Sequence, residues 1–90
     1  MRKTVYAVQF GGVWKMSKAG AVRLLEAIIR GEEYNLDDFG KKLRGEDVDR
    51  ISGGEVIGRH NAGVYFNPVI LPLDMGVEEA GGELEWIRGI

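Results

Sequence analysis

The alternation of apolar and polar positions near the start of the chain predicts a β-hairpin. Residues 4–10 and 13–16 are rich in β-branched and aromatic side chains, and Gly11-Gly12 separates the two runs. A Gly-Gly pair supplies the positive φ angles that tight hairpin turns require. We therefore expect two antiparallel strands that pair Phe10 with Val13 across a turn formed by the two glycines.

Both faces of this predicted hairpin are apolar. One face carries Val5, Ala7, Gln9, Trp14 and Met16, and the other carries Tyr6, Val8, Phe10, Val13 and Lys15. The pattern does not decide which of the two faces is buried. Because one helix covers one face of a sheet, the other face is expected either to be an exposed aromatic patch or to be covered by later strands.

A helical pattern follows the hairpin directly. Apolar side chains recur at the spacing of one helix face, namely Ala21, Val22, Leu24, Leu25, Ile28 and Ile29. Ser17 is suited to cap the start of this helix, and Gly31 is suited to the left-handed conformation that ends it. Gly20 lies in the first turn and is expected to cost somewhat under about 1 kcal/mol relative to alanine.

The rest of the chain predicts shorter elements. Asn35 can cap a short turn that carries Asp37 and Asp38 at its start. Short strands are expected at 48–51, 55–59, 64–66 and 69–71, glycine pairs mark turns at 53–54 and 81–82, and residues 83–90 fit either a last strand or a docked helical turn. The predicted fold is one α+β domain over residues 1–90, in which one main helix packs on a face of a small antiparallel sheet.

Composition narrows the class of protein. The chain has 90 residues, of which 44% are apolar and 29% are charged, so we expect one globular domain with a modest core. There is no cysteine, which excludes disulfides, thiolate nucleophiles and cysteine-based metal sites. No apolar run has the length of a membrane span, and the start lacks a signal-peptide pattern. We therefore expect a soluble, cytoplasmic protein.

Side chains that carry enzyme chemistry are sparse. His60 is the one histidine, and the hydroxyl groups other than those of tyrosine belong to Thr4, Ser17 and Ser52. The nucleophile elbow, the phosphate-binding loop and the calcium-loop spacing are all absent. We expect no enzyme activity, no cofactor and no metal, which makes binding the leading interpretation.

Acidic and aromatic residues form the predicted protein-binding set. The net charge is -2 and the pI is near 5.4. The candidate residues are Glu32, Glu33, Asp37, Asp38, Glu46, Asp47, Asp49, Tyr6, Phe10 and Trp14. The chain is similar in type, though in no particular motif, to small acidic phage and mobile-element proteins, some of which are anti-CRISPR-like inhibitors. That likeness implies a partner protein in a bacterial nucleic-acid-handling defence complex, whose basic channel the acidic residues would occupy.

Two further hypotheses come from other features. Lys41, Lys42 and Arg44 form a basic cluster that, with Arg59, would suit a nucleic-acid-binding regulator. The 14 acidic residues, which are spread through the same regions, argue against it. The third hypothesis is a small self-assembling phage structural protein, or a homodimer, in which an edge strand of the sheet pairs with its copy.

Overall fold

The computed structural model describes residues 4–46 and 68–89. Its elements in chain order are the strands β1 (Thr4–Gln9) and β2 (Gly12–Ser17), the helix α1 (Lys18–Ile29), the 3-10 turn η1 (Leu36–Asp38), the strands β3 (Lys41–Lys42) and β4 (Val69–Ile70), the 3-10 turn η2 (Pro72–Asp74) and the helix α2 (Val77–Gly89). The α+β class, with an N-terminal hairpin and a main helix on the sheet, is confirmed. The strands expected at 48–51, 55–59 and 64–66 lie outside the described residues.

The sheet is mixed. Its strand order is β3-β2-β1-β4, in which β2 pairs antiparallel with both β1 and β3, whereas β4 runs parallel to β1. The sheet thus differs at this edge from the antiparallel one that the sequence predicts. The physical reason is the connection: a tight turn forces neighbouring strands to be antiparallel, but β1 and β4 are far apart in the chain and no such turn joins them.

The hairpin turn lies one residue earlier than the glycine pair indicates. Gln9 pairs with Gly12, so Phe10 and Gly11 form the turn. Both have positive φ angles, 49° and 74°, as a type I′ turn requires. The predicted pairing of Phe10 with Val13 is therefore wrong. The predicted division of side chains between the two faces still holds, because each residue's partner has moved by two positions.

The hairpin face that carries Val5, Ala7 and Met16 is the one that faces the core. These side chains are at most 3% exposed and pack with Leu24 and Leu25 of α1 in one apolar cluster. On the opposite face the side chains of Val8 and Val13 are half-buried. The structure therefore settles which face the helices cover, a question that the apolar pattern left open.

Both ends of α1 are capped as the sequence predicts. The Ser17 hydroxyl oxygen accepts a hydrogen bond from the Gly20 amide at 3.0 Å. At the other end Gly31 has a φ of 70°. Its amide donates to the Ile28 carbonyl at 3.1 Å, and the Glu32 amide donates to the Ala27 carbonyl at 3.0 Å. This pair of bonds is a Schellman motif, which satisfies carbonyl groups that the end of a helix would leave unbonded.

The tail is a helix along its described length. In α2 the buried side chains of Ala80, Leu84 and Ile87 recur at helical spacing and join the core cluster. Gly81 and Gly82, which the sequence predicts to be a turn, lie inside this helix. Each glycine costs a helix about 1 kcal/mol relative to alanine, so packing rather than intrinsic propensity stabilises α2.

Candidate functional site

The end of the hairpin and the acidic segment 32–38 lie beside each other. The Tyr34 hydroxyl donates to Gln9 Oε1 at 3.1 Å. The Trp14 indole Nε1 donates to Asp37 Oδ1 at 2.8 Å. These two hydrogen bonds join the segment to both strands, since Gln9 ends β1 and Trp14 belongs to β2. The acidic side chains are consequently placed at the same end of the molecule as Phe10.

The acidic segment is held by its own local structure as well. The Asp37 amide donates to Asn35 Oδ1 at 3.0 Å, which caps η1 as the sequence predicts. Leu36 is 2% exposed and belongs to the core cluster, so it anchors the turn from below. Asp37 and Asp38 remain exposed at the start of η1, where the amide groups of the turn favour negative charge.

Phe10 is the most exposed large apolar side chain of the described residues, at 85%. Its φ of 49° lies in the left-handed region, which non-glycine residues adopt rarely and at a cost on the order of 1 kcal/mol. An exposed aromatic ring contributes no burial to the fold. Phe10 is thus an apolar group held in solvent on a tight turn.

Trp14 contacts side chains of both η1 and β3 at this end of the molecule. Its indole N–H is bonded to Asp37, and Lys42 Nζ lies 5.3 Å from the ring centroid, a cation–π contact. A Cβ placed on Gly12 would lie 2.8 Å from the ring, so Gly12 leaves the space that the indole fills. The half-buried Trp14 therefore positions Asp37 and has little surface left for a partner.

The structure brings together five of the predicted protein-binding residues. They form what we call the hairpin-end surface: Phe10, Glu32, Glu33, Asp37 and Asp38. Two other candidates are placed differently. Tyr6 is 6% exposed and so is not a surface residue. Glu46 is exposed at the end of the described range 4–46 and is not part of segment 32–38. Asp47 and Asp49 lie outside the described residues.

The residues of the predicted basic cluster lie next to acidic ones. Lys41 and Lys42 form the exposed edge strand β3, and Arg44 is exposed just beyond it. Arg59 lies outside the described residues. Because Lys42 and Asp37 contact the same Trp14 ring, positive and negative charges share this edge of the sheet. Such interleaving weakens the positive field that phosphate binding needs.

Tyr34 gives the contact between hairpin and acidic segment a pH dependence. Burial raises the pKa of its hydroxyl group above the ordinary value, because the phenolate is poorly solvated there. The stability that this group contributes is fully present below pH about 10 and is lost as the pH rises through the raised pKa.

The Tyr34→Phe variant is expected to lose about 0.5–1.5 kcal/mol of unfolding free energy at neutral pH, because the bond to Gln9 is missing. Above pH about 10 the gap to the wild type should narrow, since the variant has no phenol to ionise. Urea unfolding of both proteins at pH about 7 and about 10.5 measures this difference. An equal gap at both pH values would contradict the assignment.

A second surface feature is a groove between η2 and α2 with a volume of about 560 Å³. It is lined by Leu71, Asp74, Met75, Glu79, Gly82, Glu83 and Trp86. None of these belongs to the predicted protein-binding set, because their convergence depends on the helical conformation of the tail. The sequence signal for this wall of the groove is the spacing of Glu79, Glu83 and Trp86, which places them on one face of a helix.

Comparison of the chain with protein-family models, with curated proteins and with solved structures finds no match. Within the described ranges, none of the helices is both long enough and apolar enough to span a bilayer. In the same residues no group of three acidic, histidine or cysteine side chains is arranged to hold a metal ion. The hairpin-end surface and the groove are therefore the features on which a function is proposed.

Proposed function

We propose that this chain is a non-catalytic protein-binding domain that docks through the hairpin-end surface. The observation that carries the proposal is the exposed ring of Phe10, held on a positive-φ turn beside an acidic segment that is bonded to the same hairpin. Phe10 is the apolar anchor, and the carboxylates of segment 32–38 form its rim. Interfaces that combine an aromatic anchor with a polar rim are common between proteins.

The backbone that carries Phe10 is already ordered in the free protein. A phenylalanine side chain buries roughly 150–250 Å² when it is covered, and truncating such an anchor typically costs 2 kcal/mol or more of binding free energy (about 30-fold in affinity). The positive-φ turn and the hydrogen bonds of Tyr34 to Gln9 and of Trp14 to Asp37 order the backbone on both sides of Phe10. Little backbone entropy is then lost on binding, which supports tight association.

The rim defines the chemistry of the partner. Glu33, Asp37 and Asp38 are exposed on the segment that is bonded to the hairpin, and Glu32 is exposed there too, in an ion pair with Arg30 at 2.9 Å. A basic partner surface with an apolar pocket would be steered to this end and oriented on it. Proteins that handle nucleic acids carry such basic surfaces. This supports the finer proposal of a cytoplasmic phage or mobile-element inhibitor that occupies the basic channel of a defence complex.

The proposal is tested by capture from a lysate of the source organism with three forms of the protein as bait. Phe10→Asp removes the anchor, and aspartate adopts positive φ more readily than phenylalanine, so the fold is retained. Leu73→Asp is the matched control, because Leu73 is 54% exposed in η2 and belongs neither to the hairpin turn nor to segment 32–38. A partner captured by the wild type should be retained by Leu73→Asp and reduced at least about 30-fold by Phe10→Asp.

Equal capture by all three baits would contradict the proposal. Recovery of nucleic acid that disappears when Lys41 and Lys42 are replaced by glutamine would instead support the regulator hypothesis. Recovery of further copies of this chain would support self-assembly. The captured partner should also dissociate more readily at high salt, because the acidic rim acts through screened charges.

A further inference from the structure

The groove between η2 and α2 has two walls of different origin. One wall is a face of α2 that carries Glu79, Gly82, Glu83 and Trp86. Gly82 and Glu83 are each three or four residues from both Glu79 and Trp86, which places the four residues on one side of the helix. The other wall is formed by Leu71, Asp74 and Met75, around the η2 turn. A Cβ on Gly82 would meet nothing within 4 Å, so the groove is open at this position.

The lining of the groove combines an aromatic surface with carboxylates. Trp86 is 42% exposed and Leu71 is 40% exposed, which leaves apolar area uncovered on both walls. Asp74 and Glu79 are exposed at the same groove, and Glu83 is buried in its α2 wall. Among the described residues that line it, none is basic. The lining of the groove therefore combines exposed apolar area with negative charge.

We propose that this groove binds an arginine side chain in a basic segment of a partner protein. A guanidinium group is planar, so it stacks on an indole and at the same time donates paired hydrogen bonds to a carboxylate. Its aliphatic stem contacts apolar side chains such as Leu71 and Met75. The volume of about 560 Å³ leaves room for the neighbouring peptide residues as well.

Three other kinds of ligand fit this lining less well than arginine does. An anion would be repelled by Asp74 and Glu79. A bare metal ion needs converging ligands, and the described residues hold no group of three that could bind one. A lysine side chain shares the charge of arginine but lacks its planar group, so it cannot both stack on Trp86 and donate a fork of hydrogen bonds.

The test is a titration of the protein with two blocked peptides, Gly-Arg-Gly-Arg-Gly and Gly-Lys-Gly-Lys-Gly. Binding is monitored by the chemical shifts of the amide and indole resonances. The chain has two tryptophans, and a Trp86→Phe variant assigns the Trp86 indole resonance. The arginine peptide should shift this resonance in a saturable manner and bind several-fold more tightly than the lysine peptide. The Phe10→Asp variant should bind the peptide like the wild type, which separates this proposal from that for the hairpin-end surface.

Matched variants decide whether the groove itself is the site. Glu79→Gln and Asp74→Asn should each weaken binding of the arginine peptide by about 10-fold, because a charge-assisted bond is lost. Glu78→Gln removes the neighbouring exposed carboxylate, which does not line the groove, and should change binding less than about 2-fold. Dispersed amide spectra establish that each variant is folded.

Three outcomes would overturn the proposal. The first is an unchanged Trp86 resonance at peptide concentrations up to about 10 mM. The second is an equal loss of binding in Glu78→Gln and Glu79→Gln, which would mean attraction by net charge alone. The third is equal affinity for the lysine peptide, which would remove the role of the planar guanidinium group.

Discussion

Replacement of Gly40 with alanine is expected to lower the unfolding free energy by about 3 kcal/mol. A Cβ at this position would lie 2.5 Å from the Lys15 carbonyl oxygen and 2.8 Å from Met16 Cβ. Both atoms belong to β2, whose Met16 side chain is 3% exposed in the core. Since a strand backbone cannot move aside as the end of a flexible side chain can, the clash must displace β3 or η1.

Urea unfolding measures this loss, with Gly45→Ala as the control. A Cβ on Gly45 would meet nothing within 4 Å, so its replacement should change stability by less than about 1 kcal/mol. The variant Gly40→Ala should also move the amide resonances of segment 32–38, because that segment precedes the displaced residue. Equal stability of the two variants would show that the close approach of Gly40 to β2 is absent.

The second large effect is expected at Ile87, which is fully buried where α2 joins the core. The Ile87→Ala variant should lose about 2–5 kcal/mol of unfolding free energy, from lost burial and from the cavity that remains. The exposed Val77 of the same helix, at 58%, provides the control, and Val77→Ala should cost less than about 0.5 kcal/mol.

This comparison separates two accounts of the tail. If α2 is part of the core, Ile87→Ala lowers the urea concentration at the midpoint of the single cooperative transition of the whole protein. Equally small effects at Ile87 and Val77 would mean that the tail contributes nothing to stability, and the wall of the groove would then have no fixed position.

Local signals explain why α1 is predictable from the sequence. Ser17 and Gly31 act on backbone groups three to five residues away, so their residue types alone indicate where the helix begins and ends. The hairpin strands were predictable for the same reason. The turn was not, because the second glycine of the pair serves another purpose: Gly12 makes room for the Trp14 ring.

Gly20 shows the limit of propensity arguments. Judged by helix propensity alone, Gly20 destabilises α1 slightly and alanine is the more favourable residue. In the structure a Cβ there would lie 2.5 Å from the Phe39 carbonyl oxygen, so the helix start packs against the end of η1. A contact between residues so distant in the chain has no local signature.

The sequence was enough to choose residues of the candidate site, but it did not show that these residues lie together. Acidic residues and an exposed aromatic side chain could be chosen by type, as Asp37 and Phe10 were. Their common location depends on two hydrogen bonds that span 23 and 25 residues of the chain. The groove escaped prediction for a related reason, since Asp74 and Trp86 face it only when α2 is helical and docked.

Hydrogen exchange of the captured complex, compared with the free protein, shows whether the partner binds through the hairpin-end surface. Protection on binding should increase in residues 9–14 and 32–38, which carry Phe10 and the acidic rim. Protection confined to other described segments, with exchange at the hairpin end unchanged, would contradict binding through this surface.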